Sequence, residues 1–452
     1  MPTKINIPDG AARIIAALQG RGYEAYAVGG CVRDSLLGKI PKDWDITTSA
    51  PPNAVAAAFR RKHTIPTGVR HGTVTVLSDG GAYEVTTFRV DGKYSDGRRP
   101  DAVRFADSLE EDLSRRDFTV NAMAYNGERG LVDVYDGRGD LSRRVIRCVG
   151  DASERFGEDY LRMLRAYRFA ATLGFSIDPS ARGAAEKLRT NITKVSAERI
   201  REEFVKLVMS MNMDMTRLFF EDFGSVLFPE VYRLRHVRQR NRYHKYDAFE
   251  HTLAALSACP ADLEIRLAAL LHDTGKFETE TTDEFANHHY KGHQRVSARI
   301  AADVMSRLKF DNATSGNVVT LTRFHDDRFR AGDRALRRFI ARLGPELARK
   351  CLLLQYADSD AHSDYARAFS MPQIAASLEM FDEVLAGASA LTVKQLAVNG
   401  GDIMESLGIG PGRAVGEILG GLLAAVVDDP SLNERGTLIE MAKANLSSIE
   451  GE

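Results

Sequence analysis

Long apolar runs are missing from this 452-residue chain. No stretch of about 18 or more consecutive hydrophobic residues occurs, so a membrane-spanning helix is not expected. Cysteine is scarce too. Cys31, Cys148, Cys259 and Cys351 are scattered, with no CxxC pair and no short disulfide framework, which favours a reducing cytoplasm. The opening residues, Met1-Pro2-Thr3-Lys4-Ile5-Asn6, lack the apolar core of a secretory signal. Low-complexity tracts and internal repeats are absent, and net charge is close to nil at −1. That balance argues mildly against a nucleic-acid partner. It decides little, because a binding footprint needs only local positive charge, and arginine is dense over residues 138–168 and 233–245. A chain this long exceeds one core, so two to four domains are expected.

What is present changes character near Gly150. Before it, residues 11–19 have helical periodicity and stop at Gly20-Arg21-Gly22. Residues 23–28 read as a strand running into Gly29-Gly30. Residues 72–77 and 82–89 alternate around Ser78-Asp79-Gly80-Gly81, a hairpin signal, and residues 145–149 read as a last strand. The expected front is a small mixed α/β sheet domain. From Ser153 onward amphipathic helical patterns replace strand signals, with further breaks expected at 228–245 and 361–373. Residues 195–209 read as an amphipathic helix.

Three groups of residues carry chemistry. In Val28-Gly29-Gly30-Cys31-Val32-Arg33-Asp34, a Gly pair allows close backbone approach to a ligand, and a helix starting there offers N–H groups to phosphate. Asp43 and Asp45 follow, two apart and so on one face of a strand, with Glu84 on the strand over 83–87. Adjacent carboxylates repel unless a cation neutralises them, and hard oxygen ligands suit Mg²⁺ bound with substrate phosphates. A solvated turn is the plain alternative.

Second, Asp159, Arg162, Arg165 and Arg168 recur every three residues in a helical run over 160–173. An acceptor and a donor fork one turn apart would match the base edges of cytosine and adenine, while a surface salt bridge is the plain alternative. Third, His251, His272-Asp273, His288, His289, His293, His325-Asp326 and Asp358 crowd the helical half, an imidazole-carboxylate mixture suited to Mn²⁺, Fe²⁺, Ni²⁺ or Zn²⁺. The stretch Arg233, Arg235, Arg238, Arg240, Arg242 and Lys245, interleaved with Tyr232, Tyr243 and Tyr246, suits RNA phosphates and exposed bases, or else a solvated linker.

Gly29-Gly30-x-x-Arg33-Asp34 with Asp43-x-Asp45 resembles the nucleotidyltransferase domain of the polymerase-beta superfamily, in the wording of bacterial class II CCA-adding enzymes and their poly(A) polymerase relatives. His71-Gly72-Thr73-Val74, the segment Tyr83 to Arg89, and Arg115-Arg116-Asp117-Phe118-Thr119-Val120-Asn121 match in the same order. The run from Glu158 to Ala170 resembles that family's nucleotide-selecting helix. The resemblance implies Asp43 and Asp45 as Mg²⁺ ligands, with Glu84 as a third catalytic acid. It implies Gly29, Gly30, Arg33 and Arg116 against the incoming nucleotide, with Asp117 and Asn121 holding the segment's shape. Asp159 and Arg162 would act as a protein template, and Arg165 and Arg168 would contact the triphosphate. The full-length loop over 91–105 is similar to the one that switches the family from C to A addition, and residues 397–404 resemble a tail segment reaching the body of tRNA.

His251, His272-Asp273 and Asp358 resemble the HD metal phosphohydrolase superfamily, with His293 and His325 where some members place additional ligands. The implied architecture is α/β followed by all-α: a polymerase-beta-type nucleotidyltransferase head (1–148), a neck of nucleotide-selecting and RNA-binding helices (149–243), an HD domain (244–368) and a helical tail (369–452). The implied activity is template-independent addition of C, C and A to tRNA from CTP and ATP, with HD-domain phosphodiesterase or phosphatase repair using Ni²⁺ or Mn²⁺. The chain would be a monomer or homodimer without membrane attachment. Alternatives are a poly(A) polymerase on the same scaffold, or an HD nucleotide phosphohydrolase with a regulatory front domain.

Overall fold

A computed structural model describes residues 4–59, 63–65, 68, 72–91 and 103–449. The chain forms two compact units, Met1–Leu227 and Phe228–Glu452.

The first unit begins with a mixed sheet flanked by helices. Its strands are β1 (Ala25–Val28), β2 (Ile46–Thr48), β3 (Thr64–Ile65), β4 (Thr73–Ser78), β5 (Gly81–Thr87), β8 (Ala124–Asn126) and β9 (Gly130–Val132), ordered β3-β4-β5-β2-β1-β8-β9. A separate pair, β6 (Arg89–Asp91) and β7 (Val103–Phe105), flanks the loop over 91–105, which lies mostly outside the described residues, as does His71. Neighbouring strands run antiparallel except β2 and β5, which are parallel. The β4–β5 hairpin turns on Asp79 and Gly80, both at positive φ (49° and 76°), the turn geometry that follows strand twist. Tyr26, Val28, Phe88, Leu109, Leu113 and Ala124 form a core against this sheet.

The helices that follow hold an aromatic core. Tyr167, on the helix Leu161–Leu173, meets Phe219 and Phe223 edge-on, and Phe204 packs against Phe219 and Phe220. Asp222 beneath them accepts from the Tyr167 hydroxyl and from the Arg182 fork, so a buried carboxylate is paired.

In the second unit, Asp247 and Asp262 accept N–H bonds at the starts of helices Ala248–Ala258 and Leu263–Leu271. These pack with His293–Arg307, Asn312–Phe324 and Pro345–Asp360. Ile403, Val415, Ile418, Leu422 and Leu438 make a separate core near the C-terminal end. No described helix is long and apolar enough to cross a membrane.

Strand signals do not vanish after Ser153 as expected. Val145–Ile146 pairs in parallel with Ser176–Ile177 outside the main sheet, and Thr281–Thr282 pairs with His288–His289. Two-residue pairs carry no periodicity and are invisible to it. The break expected at 361–373 is mostly helix: Asp364–Glu379 continues through Pro372.

Removing Phe219, which is 1% exposed at the centre of the aromatic cluster, is expected to cost about 3–5 kcal/mol in the first unit's unfolding transition. Phe285→Ala, at a 77% exposed position, is expected to leave urea unfolding unchanged. Paired denaturation curves check both.

Candidate active sites

β1 ends by placing Gly29 at φ +80°, immediately before the helix Gly30–Leu36. A Cβ at Gly29 would sit 2.9 Å from Arg116 Nη1, so the glycine makes room for that guanidinium. The Val28 N–H donates to the Asp45 carbonyl (3.0 Å) and the Gly29 N–H to the Met123 carbonyl (3.1 Å). Asp43 and Asp45 therefore stand on the extended lead-in to β2 rather than on the strand, which begins at Ile46. The parallel register Ile46↔Val85 makes Asp45 and Glu84 neighbours one residue earlier on each chain.

All three carboxylates reach solvent. Protein packed around Asp45, then the Glu84 charge, raise its pKa; Arg116 lowers it and Asp43 raises it further. The acids are electrostatic neighbours, not a closed cage: the tight groups of candidate ligand atoms among the described residues all lie in the helical half. An open cavity of about 950 Å³ beside Asp43 is lined by Lys4, Lys39, Lys42, Trp44 and Tyr83, and neither Asp45 nor Arg116 lines its wall.

Arg33 donates to Asp34 (2.8 Å) and Asn121 (2.6 Å), and Asn121 donates to Asp117. Arg165 pairs with Asp117 (2.7 Å), and Arg168 pairs with Glu203 (2.7 Å). Arg33, Arg165 and Arg168 surround the Phe169 ring. Burial alone would raise the Asp117 carboxyl, but Arg165 and then Arg162 hold it at about 2. Arg165 and Arg168 are thus committed to buried acids, a partnership the three-residue stripe did not reveal.

The expected stripe is also corrected at its first member. Asp159 is extended and ends the short helix Ala152–Glu158, outside the helix that carries Arg162. Arg199 grips it with both Nη atoms (2.7 and 3.3 Å), and the Leu161 N–H donates to it (3.1 Å). Arg162 pairs with Glu158 and donates to the Arg155 (3.1 Å) and Arg115 (3.2 Å) carbonyls. Asp159 and Arg162 are therefore each fixed, by different elements.

In the second unit six residues converge in the interior. His251 Nε2 lies 2.9 Å from Asp358 Oδ1 and 3.4 Å from His272 Nε2. Asp273 reaches two ways: Oδ2 is 3.3 Å from His272 and 3.6 Å from His251, while Oδ1 is 3.5 Å from His293 and 4.0 Å from His325. His251, His272 and Asp358 form one compact ligand group, and His272, Asp273 and His325 a second. Asp273 Oδ2 is buried and faces Lys276 Nζ (2.7 Å) as well as the His272 nitrogen, and a nitrogen–oxygen donor set of this kind fits a divalent transition metal. Gly275 is obligatory here, since a Cβ would meet the His293 carbonyl at 2.4 Å. Burial would lower the His272 imidazolium, but Asp273 and Asp358 push it up to about 10.

The Poly A polymerase head domain matches residues 25–147, the probable RNA and SrmB-binding site of polymerase A matches 174–233, and the HD domain matches 249–361. A CCA-adding enzyme of Lactobacillus delbrueckii is 50% identical over 213 residues, about half of each chain (47% of this one and 52% of that one). The CCA-adding enzyme of Lactiplantibacillus plantarum is 34% identical over 438 residues, covering 96% of this chain and 95% of that one. This chain belongs to the CCA-adding enzyme family. Among solved structures, the Bacillus stearothermophilus CCA-adding enzyme in complex with CTP superposes with a TM-score of 0.75 at 29% identity, covering 98% of both chains.

For this member of the CCA-adding enzymes, sequence reasoning missed four residues at the helical centre. Lys276 pairs with Asp273 (2.7 Å), and Arg328 pairs with Asp358. The His244 and His362 rings lie 4.8 Å apart, and each packs on His251. Lys276 ends the His272-Asp273-Thr274-Gly275-Lys276 run and was readable there; His244 was hidden in the basic stretch. His288 and His289 face Glu280 and Asp283 instead of the centre.

The folded Asp117 carboxyl lies below its ordinary 3.8, so its stabilisation is complete above that value and is lost as pH falls toward about 2. The difference corresponds to about 2 kcal/mol. Urea unfolding of wild type and Asp117→Asn should therefore show a stability gap at pH 7 that narrows steadily below pH ~4.

Proposed function

We propose that this chain extends tRNA 3′ ends with C, C and A from CTP and ATP in the order C, C, A. The observation that carries the reading is the adjacency of Asp45 and Glu84 across the parallel β2–β5 pair, with Arg116 lying against Gly29 beside them. Asp43, Asp45 and Glu84 are the residues to hold divalent metal, proposed as Mg²⁺, which when bound would activate the attacking hydroxyl and stabilise the leaving pyrophosphate. The tRNA 3′ oxygen attacks the α-phosphate as the bond to pyrophosphate breaks. Gly29 and Gly30 admit the triphosphate close to the backbone, and Arg33 and Arg116 balance its charge. Asp159 accepts from the exocyclic amine of cytosine or adenine, and Arg162 donates to the neighbouring ring acceptor. Both bases carry that amine-beside-acceptor edge; guanine and uracil do not.

In the helical half, His251, His272, Asp273 and Asp358, with His293 and His325, suit Mn²⁺ or Ni²⁺ and hydrolysis of phosphoesters at RNA ends. The reading divides the chain into head, neck, HD domain and tail with bounds at 148, 243 and 368, and places it in the cytoplasm. A poly(A) polymerase would differ in leaving CTP unused.

Incubating tRNA that lacks CCA with each labelled nucleotide tests the reading: C and A should be incorporated, G and U not. Asp45→Ala should lower incorporation by roughly 10³-fold. Asp159→Ala should retain incorporation but lose roughly ten- to hundredfold of its preference among the four nucleotides; an unchanged preference removes the template role. His272→Ala should abolish phosphoesterase activity and leave CCA addition intact, and loss of both activities would show the two sites to be dependent.

A further inference from the structure

The basic stretch over 233–245 is only partly available to a ligand. Arg233 lies over the Phe277 ring, and Arg235 lies over Tyr232 and Phe249. Beyond Arg240 the character changes. Arg242 is exposed and stacks over two rings, Tyr243 (5.2 Å) and Tyr365 (4.4 Å). Tyr243 faces Tyr365 at 5.7 Å, and Tyr365 meets Phe369 at 5.3 Å. The result is a continuous row of three rings and a guanidinium on the surface, with Tyr243 45%, Tyr365 41% and Phe369 66% exposed.

The row is anchored to the histidine–aspartate centre. The Ser363 N–H donates to the Tyr243 carbonyl (2.9 Å) and the Ser363 hydroxyl to the Arg242 carbonyl (2.7 Å). The next residues along each chain segment are His244 and His362, the pair whose rings pack on His251. At its other end, Phe369 lines a cavity of about 290 Å³ together with Arg328, Arg330, Gln355 and Gln373. Arg328 in turn holds Asp358. One end of the row therefore borders His251, and the other opens on a cavity walled by the partner of Asp358.

Exposed aromatic rings alternating with arginine match one ligand chemistry closely. Nucleobases stack on rings regardless of sequence, and the cation meets the phosphate that joins them. An apolar protein segment would leave the Arg242 charge without a partner; a simple phosphate monoester would leave the rings bare. We propose that Arg242, Tyr243, Tyr365 and Phe369 form a stacking platform for the unpaired terminal bases of an RNA strand, holding the strand's end phosphate at the histidine–aspartate centre. The substrate of that centre is then a single-stranded RNA end, not a free small phosphoester. The substrate assignment rests on the phosphoesterase reading above; the platform itself does not.

The test uses the full-length protein and a short single-stranded RNA carrying 5-iodouridine next to a 3′-phosphate. On irradiation, crosslinks should map to Tyr243, Tyr365 or Phe369. The Tyr365→Ala/Phe369→Ala variant should lower crosslink yield at this surface by roughly tenfold or more, with CCA addition by the head unchanged. Hydrolysis with Mn²⁺ or Ni²⁺ is followed in parallel on this RNA and on ribose 3-phosphate, which has no base. The variant should raise KM for the RNA roughly tenfold and leave ribose 3-phosphate unaffected. Crosslinks confined to other surfaces, or a KM for the RNA unchanged in the variant, overturn the proposal. Crosslinks at Tyr243, Tyr365 or Phe369 without hydrolysis under either metal leave the platform standing and remove the phosphoesterase reading instead.

Discussion

Carboxylates that the backbone forces together repel, and each unit of this chain is organised around relieving that repulsion. In the first unit, parallel pairing of β2 with β5 fixes Asp45 beside Glu84 whatever their charges prefer. Burial and then the Glu84 charge hold the Asp45 pKa above its ordinary value, and Arg116 offsets part of that rise. In the second unit, Asp273 and Asp358 are buried within a few ångströms of five imidazoles, His251, His272, His293, His325 and His362, and they also pair with Lys276 and Arg328. Without those cations two buried carboxylates would each cost several kcal/mol. The cations make the acids tolerable, and the same acids make each site receptive to a divalent ion.

The two solutions differ in openness. The head acids keep contact with solvent and are not drawn into a tight ligand group, which suits a site whose metal arrives with substrate phosphates. The helical centre is almost fully buried and its side chains already touch, which suits a resident ion. Opposite charges fix protonation against the pull of burial: neighbouring imidazoles, Lys276 and Arg328 hold Asp273 and Asp358 well below the ordinary carboxylate range, and the two carboxylates push His272 up to about 10. Were a divalent ion bound here, His272 would hold it as a neutral imidazole, so occupancy and pH would be linked through its proton.

Much of this was legible in the sequence, for identifiable reasons. The β4–β5 hairpin announced itself through alternation around Asp79-Gly80, and Gly29-Gly30 ahead of Asp43 and Asp45 marked a strand–turn–helix with acids nearby. His251, His272, Asp273 and Asp358 were found through the crowding of histidines and the resemblance of their ordered set to the HD superfamily, which also pointed to His293 and His325. What stayed hidden depends on contacts between distant segments. Nothing local in Glu203 or Arg199 predicts that they hold Arg168 and Asp159, 35 and 40 residues away. A three-residue repeat suggested one helical face over 159–168, yet the helix starts at Leu161, because Asp159 adopts an extended backbone and accepts the Leu161 N–H at the start of the helix.

That displacement matters for how one pair of side chains could read two bases. On a single helix, Asp159 and Arg162 would move together and share one orientation. Instead the Arg199 fork sets Asp159 from the helix Ala197–Val208, while Glu158 and two backbone carbonyls set Arg162. Bidentate arginine–carboxylate geometry leaves little rotational freedom to the acid. Selection under the proposed reading then resides in a fixed acceptor and a fixed donor, not in the volume of a pocket. Volume cannot be the criterion, because a pyrimidine and a purine must both be accepted; the amine-beside-acceptor edge is what cytosine and adenine share. A rigid pair tests for that edge alone, and a base with the opposite polarity leaves both Asp159 and Arg162 facing like groups, which is costly where water is excluded.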